Sequence, residues 1–210
     1  MKRIAVISTN PRKYFHLVNL LREYNIDFIV TASCNLLSND VRVIITDNPL
    51  VKKEKPEITV LIDNDNYEQA IFKAMCMLKG KEEFNTLVIG IDPGATHGLA
   101  VLADGSPIIL KLFNNTKLLL NYIKRLIDQF PAKIKIIRIG SNAKHYLKEI
   151  ISELENLNFL CNVKIELVSE SLPPPPYIKE YTLPNDIKSA LSIALNKSNI
   201  RLLRGVRDED

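Results

Sequence analysis

Residues 87–105 constrain the fold more than any other stretch of this 210-residue chain. Two apolar runs, Leu87–Ile91 and Leu99–Leu102, flank a turn that begins Asp92-Pro93-Gly94. Apolar runs of this length joined by a Pro-Gly turn predict a β-hairpin whose strands are buried on both faces. An acid beside buried strands is costly unless it is exposed, hydrogen-bonded or bound to a metal. The hairpin is therefore expected to present Asp92 at the end of a core strand.

The N-terminal part, residues 1–82, alternates predicted strands and helices. Strands are predicted over residues 3–8, 27–32, 41–46 and 58–63, and helices over residues 11–24 and 66–78. This alternation predicts a small three-layer α/β domain with a largely parallel sheet. Asn10 is the expected N-cap of the first helix, and Asp63 and Asp65 are expected to cap the second, with cation binding as the alternative. Gly80 is a helix stop signal, so we place the domain boundary after residue 82.

The C-terminal part, residues 83–210, continues from the hairpin in a defined order. A third strand is predicted over residues 107–113, followed by helices over 116–129, 143–157 and 185–196 and by strands over 133–139 and 163–168. The order is therefore β-β-β-α-β-α-β-α. The proline run at residues 172–177 can continue neither a helix nor a strand, and residues 201–210 are expected to form a mobile tail.

The segment Gly90-Ile-Asp-Pro-Gly94, followed by Gly98-Leu-Ala-Val101, resembles the first motif of the RuvC and YqgF branch of the RNase H-like superfamily. The predicted element order and the later segment Ala190-Leu-Ser-Ile-Ala194 also match, so the resemblance spans residues 86–198. It implies an RNase H-like, mixed-sheet C-terminal domain. The alternation of strands and helices makes the preceding residues 1–82 a small three-layer, Rossmann-like α/β domain. Sugar kinases and actin-like ATPases open with a related hairpin, but the N-terminal half lacks the second phosphate hairpin that a nucleotide-binding domain of that type needs.

The same resemblance implies three acids as metal ligands. Asp92 matches the family's first-strand ligand, Glu170 lies in a segment similar to the Asp-Glu-Arg segment of YqgF proteins, and Asp186 matches the first acid of the resolvase helix. Three carboxylates suffice to hold Mg²⁺ or Mn²⁺. The alternatives are a solvated acid at a strand end for Glu170 and, for Asp186, an acid stabilised by the start of a helix.

Two positions depart from the resolvase pattern. Arg138 stands where resolvases have a Glu, and Ser189 stands where they have a second helical Asp. Arg138 is expected to pair with Asp92 or to contact a phosphate. Lys144 and Lys188 lie near the predicted site in sequence and are expected to contact nucleic acid, with a solvated charged face as the alternative.

These residues lead to three functional hypotheses, of which the nucleotide-binding ATPase or kinase-like domain named above is the least favoured. The first is a metal-dependent nuclease that acts on structured DNA or RNA, branched or single-stranded, in the manner of a Holliday junction resolvase or an RNA-processing enzyme. The second is a catalytically degenerate RNase H-like module that binds nucleic acid or a protein, which the departures at Arg138 and Ser189 favour. Related resolvases work as dimers, so the resemblance also suggests a homodimer.

Composition sets only broad limits. The net charge is +4, and residues 84–210 contribute +3 of it, which permits a local nucleic-acid-binding patch. The three cysteines and three histidines are too scattered for a zinc site or a disulfide framework. His97, within the hairpin, is expected to be a loop residue, with contact to a phosphate as the alternative. No apolar run is long enough to span a bilayer and no signal peptide is recognised, so the expected location is the cytoplasm.

Overall fold

The computed structural model describes residues 3–155, 163–169, 183–196 and 200–204. The chain forms two compact units: unit 1 extends to Glu83 and includes Gln129–Pro131, and unit 2 comprises Phe84–Asp128 and the residues from Ala132 onward. Both units are of the α/β type, as the sequence predicts. Among the described residues, no helix is both long and apolar enough to cross a membrane.

Unit 1 is built on a four-stranded parallel sheet. Its elements are β1 (Arg3–Ile7), α1 (Pro11–Glu23), β2 (Phe28–Val30), β3 (Val41–Thr46), α2 (Pro49–Glu54), β4 (Thr59–Leu61) and α3 (Tyr67–Leu78). The strand order is β2-β1-β3-β4, and every neighbouring pair is parallel. The predicted parallel α/β sheet is thus confirmed. The short helix α2 was not predicted, because six residues are too few to show a helical period.

An asparagine side chain caps the start of each of the three α-helices that the structure describes in unit 1. Asn10 accepts hydrogen bonds from the backbone of α1 as predicted, and Asn48 and Asn66 do the same for α2 and α3. The expected capping of α3 by Asp63 and Asp65 is wrong, since Asn66 occupies the cap. Asp65 instead forms an ion pair with Lys13 at 2.9 Å, and the Lys13 ammonium lowers the pKa of that carboxyl.

Unit 2 contains a six-stranded mixed sheet. Its elements are β5 (Phe84–Asp92), β6 (His97–Ala103), β7 (Ser106–Phe113), α4 (Thr116–Gln129), β8 (Ala132–Gly140), α5 (Lys144–Glu155), β9 (Val163–Val168), α6 (Asn185–Leu195) and β10 (Ile200–Arg204). The sheet order is β10-β9-β8-β5-β6-β7. Strands β5, β8 and β9 are mutually parallel, and β6 is antiparallel to both β5 and β7.

The predicted order of elements is found in unit 2, with one addition. Residues 200–204 form β10, antiparallel to β9, so the prediction of a tail beginning at residue 201 is wrong for that part. The strand forms because β9 offers it a free edge, which five residues of local sequence do not reveal. The proline run at residues 172–177 lies outside the described residues.

Small residues allow α6 to pack directly on the sheet of unit 2. Ala190, Leu191 and Ala194 of the helix form an apolar cluster with side chains of β5 and β6. A Cβ added to Gly90 would overlap the carbonyl oxygen of Ala190 and lie 2.6 Å from the Cβ of Ala194. Glycine at position 90 is therefore needed for the helix backbone to approach the strand so closely. This close packing fixes where the start of α6 lies.

Candidate functional site

The end of β5 and the start of α6 meet at one point of unit 2. Asp92 is paired with Gly98 across the hairpin. A Cβ on Gly98 would overlap the backbone carbonyl of Asp186, so the first turn of α6 rests directly on this position. Two of the three predicted acids, Asp92 and Asp186, are therefore brought to the same end of the sheet although they are far apart in sequence.

Two further strands end beside Asp92. Because β5, β8 and β9 run parallel, Asp92, Gly140 and Val168 all lie at the same edge. The amide of Ser141 donates to the carbonyl of Val168 at 3.1 Å and ties two of these ends together. We define the carboxyl edge as these three strand ends, the residues directly after β8 and β9 (141–142 and 169), and the first turns of α6 (185–189).

The start of α6 carries an acid in its first turn and lacks a side-chain cap. Its N-cap position is Pro184, whose side chain makes no capping hydrogen bond. Asp186 lies in the first turn, as the resemblance implies, and does not occupy the cap. Amide groups at a helix start carry partial positive charge and favour nearby anions. The negative charge of Asp186, or of a phosphate bound there, would be stabilised by these amide groups.

The donor set partly fits the predicted Mg²⁺ or Mn²⁺. Mg²⁺ is commonly held by one or two carboxylates together with waters and substrate phosphates, and Asp92 and Asp186 supply two half-buried carboxylates. Glu170, the third predicted ligand, lies outside the described residues. In the part of the chain that is described, no group of three or more His, Cys, Asp or Glu residues is arranged to hold a metal ion.

Arg138 has a different role from the expected one. Its Nε donates to Oε2 of Glu166 at 2.8 Å, and its Nη1 donates to the carbonyl of Ala194 at 2.7 Å. The side chains of Arg138 and Glu166 are only 12% and 13% exposed. The guanidinium thus holds the C-terminal end of α6, where a cation also complements the helix dipole. The expected ion pair with Asp92 is not among these interactions, and the expected contact with a phosphate stays a prediction.

Of the two candidate lysines, Lys188 belongs to the carboxyl edge and Lys144 follows it closely in sequence. Lys144 is the first residue of α5, shortly after β8 ends, and is exposed. Lys188 is in the opening turn of α6, two residues after Asp186, and is half-buried. Their positions suit contact with a phosphate backbone that approaches this edge. Their role as nucleic-acid contacts stays a prediction.

His97 is the residue that sequence reasoning placed wrongly. It is the first residue of β6 and only 2% exposed, so the expected loop histidine is in fact a core histidine. Its Nδ1 accepts the amide hydrogen of Gly94 at 3.3 Å, and its Nε2 lies 3.1 Å from Oγ1 of Thr116. The sequence did contain a signal for this burial: His97 directly precedes Gly98 and the apolar run of β6. Successive residues of a strand point to opposite faces of the sheet, and both faces are covered here.

Unit 1 has a polar edge of its own. Asp47 follows β3, and its Oδ1 accepts the amide hydrogen of Thr9, which follows β1. Strands β1 and β3 are neighbours whose connections leave in opposite directions along the sheet. In open parallel sheets this is where ligands most often bind. Among the described residues, no cluster there specifies a ligand.

Comparison with known proteins gives one family match. Residues 3–78 match the model of a response regulator receiver-like domain. The match covers the parallel sheet of unit 1 and none of unit 2. A comparison with curated proteins found no match.

Two of the similar solved structures are distant in sequence. One is Marinitoga piezophila Argonaute in complex with 5′ OH guide RNA, at 13% identity and a TM-score of 0.26 over 81% of this chain. A second is the same Argonaute with guide RNA and target DNA, at 12% identity and a TM-score of 0.31. The chain spans about 40% of the length of those Argonaute chains. Similarity at this level carries no argument about function.

Proposed function

We propose that unit 2 is an RNase H-like domain of the RuvC and YqgF type that cleaves phosphodiester bonds in branched or single-stranded nucleic acid, using Mg²⁺ or Mn²⁺. The observation that carries this proposal is the meeting of Asp92 with the first turn of α6, which bears Asp186. The order β-β-β-α-β-α-β-α and the antiparallel start of the sheet also support it.

The proposed chemistry assigns a role to each candidate acid and lysine and to the first amides of α6. Asp92 and Asp186 would hold the metal, with Glu170 as the third ligand implied by the resemblance. The bound metal would supply an activated hydroxide and stabilise the leaving oxygen. Lys144, Lys188 and the amides at the start of α6 would hold the phosphate backbone.

The decisive experiment replaces each acid by its amide. Wild-type protein is incubated with a four-way DNA junction, single-stranded DNA and single-stranded RNA, with Mn²⁺, Mg²⁺ or EDTA. We expect cleavage that needs the metal, and a loss of at least about 100-fold in Asp92→Asn and Asp186→Asn, because each removes a charged ligand. Asp128→Asn, on the exposed face of α4, is the matched control and should cleave like the wild type.

Two results would contradict the proposal. If Asp92→Asn and Asp186→Asn both cleave at the wild-type rate, the active-site assignment fails. If the wild type cleaves none of the three substrates with either metal, the nuclease activity itself is rejected.

A second candidate function is favoured by the ion pair at β8 and β9. Arg138 stands where resolvases carry an acid, and it forms an ion pair with Glu166. Among the described residues, two acids converge at the carboxyl edge and no third one joins them. A domain of this kind would bind nucleic acid without cleaving it. It would show salt-sensitive binding with no turnover, and robust metal-dependent hydrolysis by the purified protein would exclude it.

A further inference from the structure

His97 connects the turn after Asp92 to the helical layer on the other side of the sheet. In β6, Gly98 and Ala100 pack against α6, so His97 points to the opposite face. There its ring meets Thr116 at the start of α4 and lies edge-on to Tyr146 of α5, with ring centroids 5.7 Å apart. The hairpin is thus held on one face by α6 and on the other by this imidazole.

The hydrogen bonds require a neutral ring of one tautomer. Nδ1 accepts a hydrogen from the amide of Gly94, so it cannot carry a proton of its own. The proton therefore resides on Nε2, which donates to Oγ1 of Thr116. A protonated imidazole has two donors and no acceptor, so it would lose the bond to Gly94.

Gly94 belongs to the tight turn that sets the direction of Asp92. A Cβ at Gly94 would lie 3.1 Å from the carbonyl oxygen of Thr96, which shows how closely the turn is folded. Asp92 is two residues before Gly94 and is the last residue of β5. Holding the Gly94 amide therefore limits the positions that the Asp92 backbone can take.

We propose that His97, as the neutral imidazole, is a positioning residue that holds the turn of residues 93–96 and through it Asp92, and that acidification releases this turn. The role of Asp92 in metal binding rests on the proposed function. The hydrogen bond from Gly94 to His97 does not, so the two can be tested separately.

The surroundings of His97 favour its neutral form. Burial lowers the pKa of His97, and the Glu149 carboxylate on α5 opposes this in part. The elements around the ring carry further titratable or charged groups: Asp92 on the hairpin itself, Lys117, Tyr122, Lys124, Arg125 and Asp128 on α4, and Lys144, His145, Tyr146, Lys148, Glu153 and Glu155 on α5. At neutral pH the ring is uncharged and the turn is held.

The test follows the full-length protein by ¹H–¹⁵N NMR from pH 8 to pH 4.5. We expect the Gly94 amide to shift with the same midpoint as the His97 ring nitrogens, below the ordinary histidine value of 6.5, with the Asp92 amide shifting in parallel. His145→Gln, which removes an exposed histidine on the same helix as Tyr146, should leave this titration unchanged. The proposal is overturned if the Gly94 amide does not respond while His97 titrates.

Two substitutions at position 97 separate positioning from packing. His97→Phe keeps an aromatic ring but has no hydrogen-bond acceptor. The Gly94 amide of this variant should have, at every pH, the chemical shift that the wild type shows at low pH. His97→Asn offers an oxygen acceptor close to the place of Nδ1 and should keep the neutral-form shift through the whole range. A wild-type Gly94 shift in His97→Phe would overturn the proposal.

A Mn²⁺ titration at pH 8 separates this inference from the proposed function. Broadening of the Asp92 amide resonance by Mn²⁺ in the wild type supports the metal site. Broadening of that resonance that is at least about fivefold weaker in His97→Phe than in His97→Asn supports the positioning role of His97 as well. Absence of broadening in the wild type rejects the metal site, while the Gly94 titration still decides the role of His97. Equal Mn²⁺ responses in the two variants would overturn the link from His97 to Asp92.

Discussion

At the scale of single residues, the partner of a charged group decides what the group does. Arg138 lies two positions before the level of Asp92, since it is in register with Gly90 on β5. A cation there was expected to face the acid or a phosphate. It instead binds Glu166 and a carbonyl at the far end of α6, and so contributes to holding the helix that carries Asp186.

Removing this guanidinium should destabilise unit 2. Arg138→Leu leaves the largely buried Glu166 carboxylate without its partner, and we expect a loss of about 3 kcal/mol in the free energy of unfolding. Urea denaturation measures the change. The double variant Arg138→Leu with Glu166→Leu should recover most of the loss, because no unpaired charge remains. Equal instability of the single and double variants would show that the ion pair is not the cause.

His97 should make stability depend on pH in a defined direction. Its folded-state pKa is lowered, so the unfolded chain binds the proton more readily below about pH 6.5. The stabilisation is complete above pH 6.5 and is lost as the pH falls towards the folded-state pKa, with a slope of at most about 1.4 kcal/mol per pH unit. Urea denaturation at several pH values should show this slope in the wild type and in His145→Gln. His97→Phe should lack it.

At the scale of elements, α6 and the hairpin form one structural unit because their contact is backbone to backbone. Gly90 and Gly98 leave room for the helix, and Asp186 and Ala190 fill that room. Interfaces this close tolerate no added methyl group without movement. The distance between Asp92 and Asp186 therefore depends on Gly90 and Gly98, which have no functional group in their side chains.

Gly98→Ala should displace the start of α6. The new Cβ would overlap the Asp186 carbonyl, so we expect a loss of roughly 1–3 kcal/mol in unfolding free energy and a reduced Mn²⁺ response of Asp92. Gly105→Ala is the matched control: its φ of +80° makes alanine strained, but no atom lies within 4 Å of the added Cβ. Both variants should lose stability, and only Gly98→Ala should alter metal binding. The same Mn²⁺ response in both would contradict this view of the helix contact.

At the scale of the whole molecule, charge is distributed unevenly between the two parts of the sequence. Residues 1–83 carry an excess of one basic residue and residues 84–210 an excess of three. So small an excess does not by itself demand a nucleic-acid partner, and the positions of individual lysines matter more than the total. Lys144 and Lys188, next to the carboxyl edge, are the ones expected to contact phosphate.

Binding to a four-way DNA junction should weaken as salt rises. The logarithm of the association constant should fall linearly with the logarithm of the salt concentration, because phosphate contacts release counterions. Lys144→Gln and Lys188→Gln should each reduce the slope by about 1, whereas Lys73→Gln, an exposed lysine on α3 of unit 1, should not. Fluorescence anisotropy measures all four proteins. Identical slopes in the four would exclude the two lysines as phosphate contacts.

The sequence by itself determined the local elements. The sequence predicted the hairpin strands from the apolar runs 87–91 and 99–102, which the structure extends to 84–92 and 97–103. The cap at Asn10 and the parallel α/β pattern of unit 1 likewise follow from side chains that act within a few residues. The small residues of α6 were visible as well. Such features depend on neighbours in the chain, so their physical causes are present in the sequence.

Only the tertiary structure decided the partners. The pairing of Arg138 with Glu166, the burial of His97 against Thr116, the strand β10 and the contact of Gly98 with Asp186 each join segments that are distant in the chain. Strand register and helix placement select these partners, and they result from packing of the whole core. For this protein, local pattern predicted most of the helices and strands, while packing decided which distant residues meet.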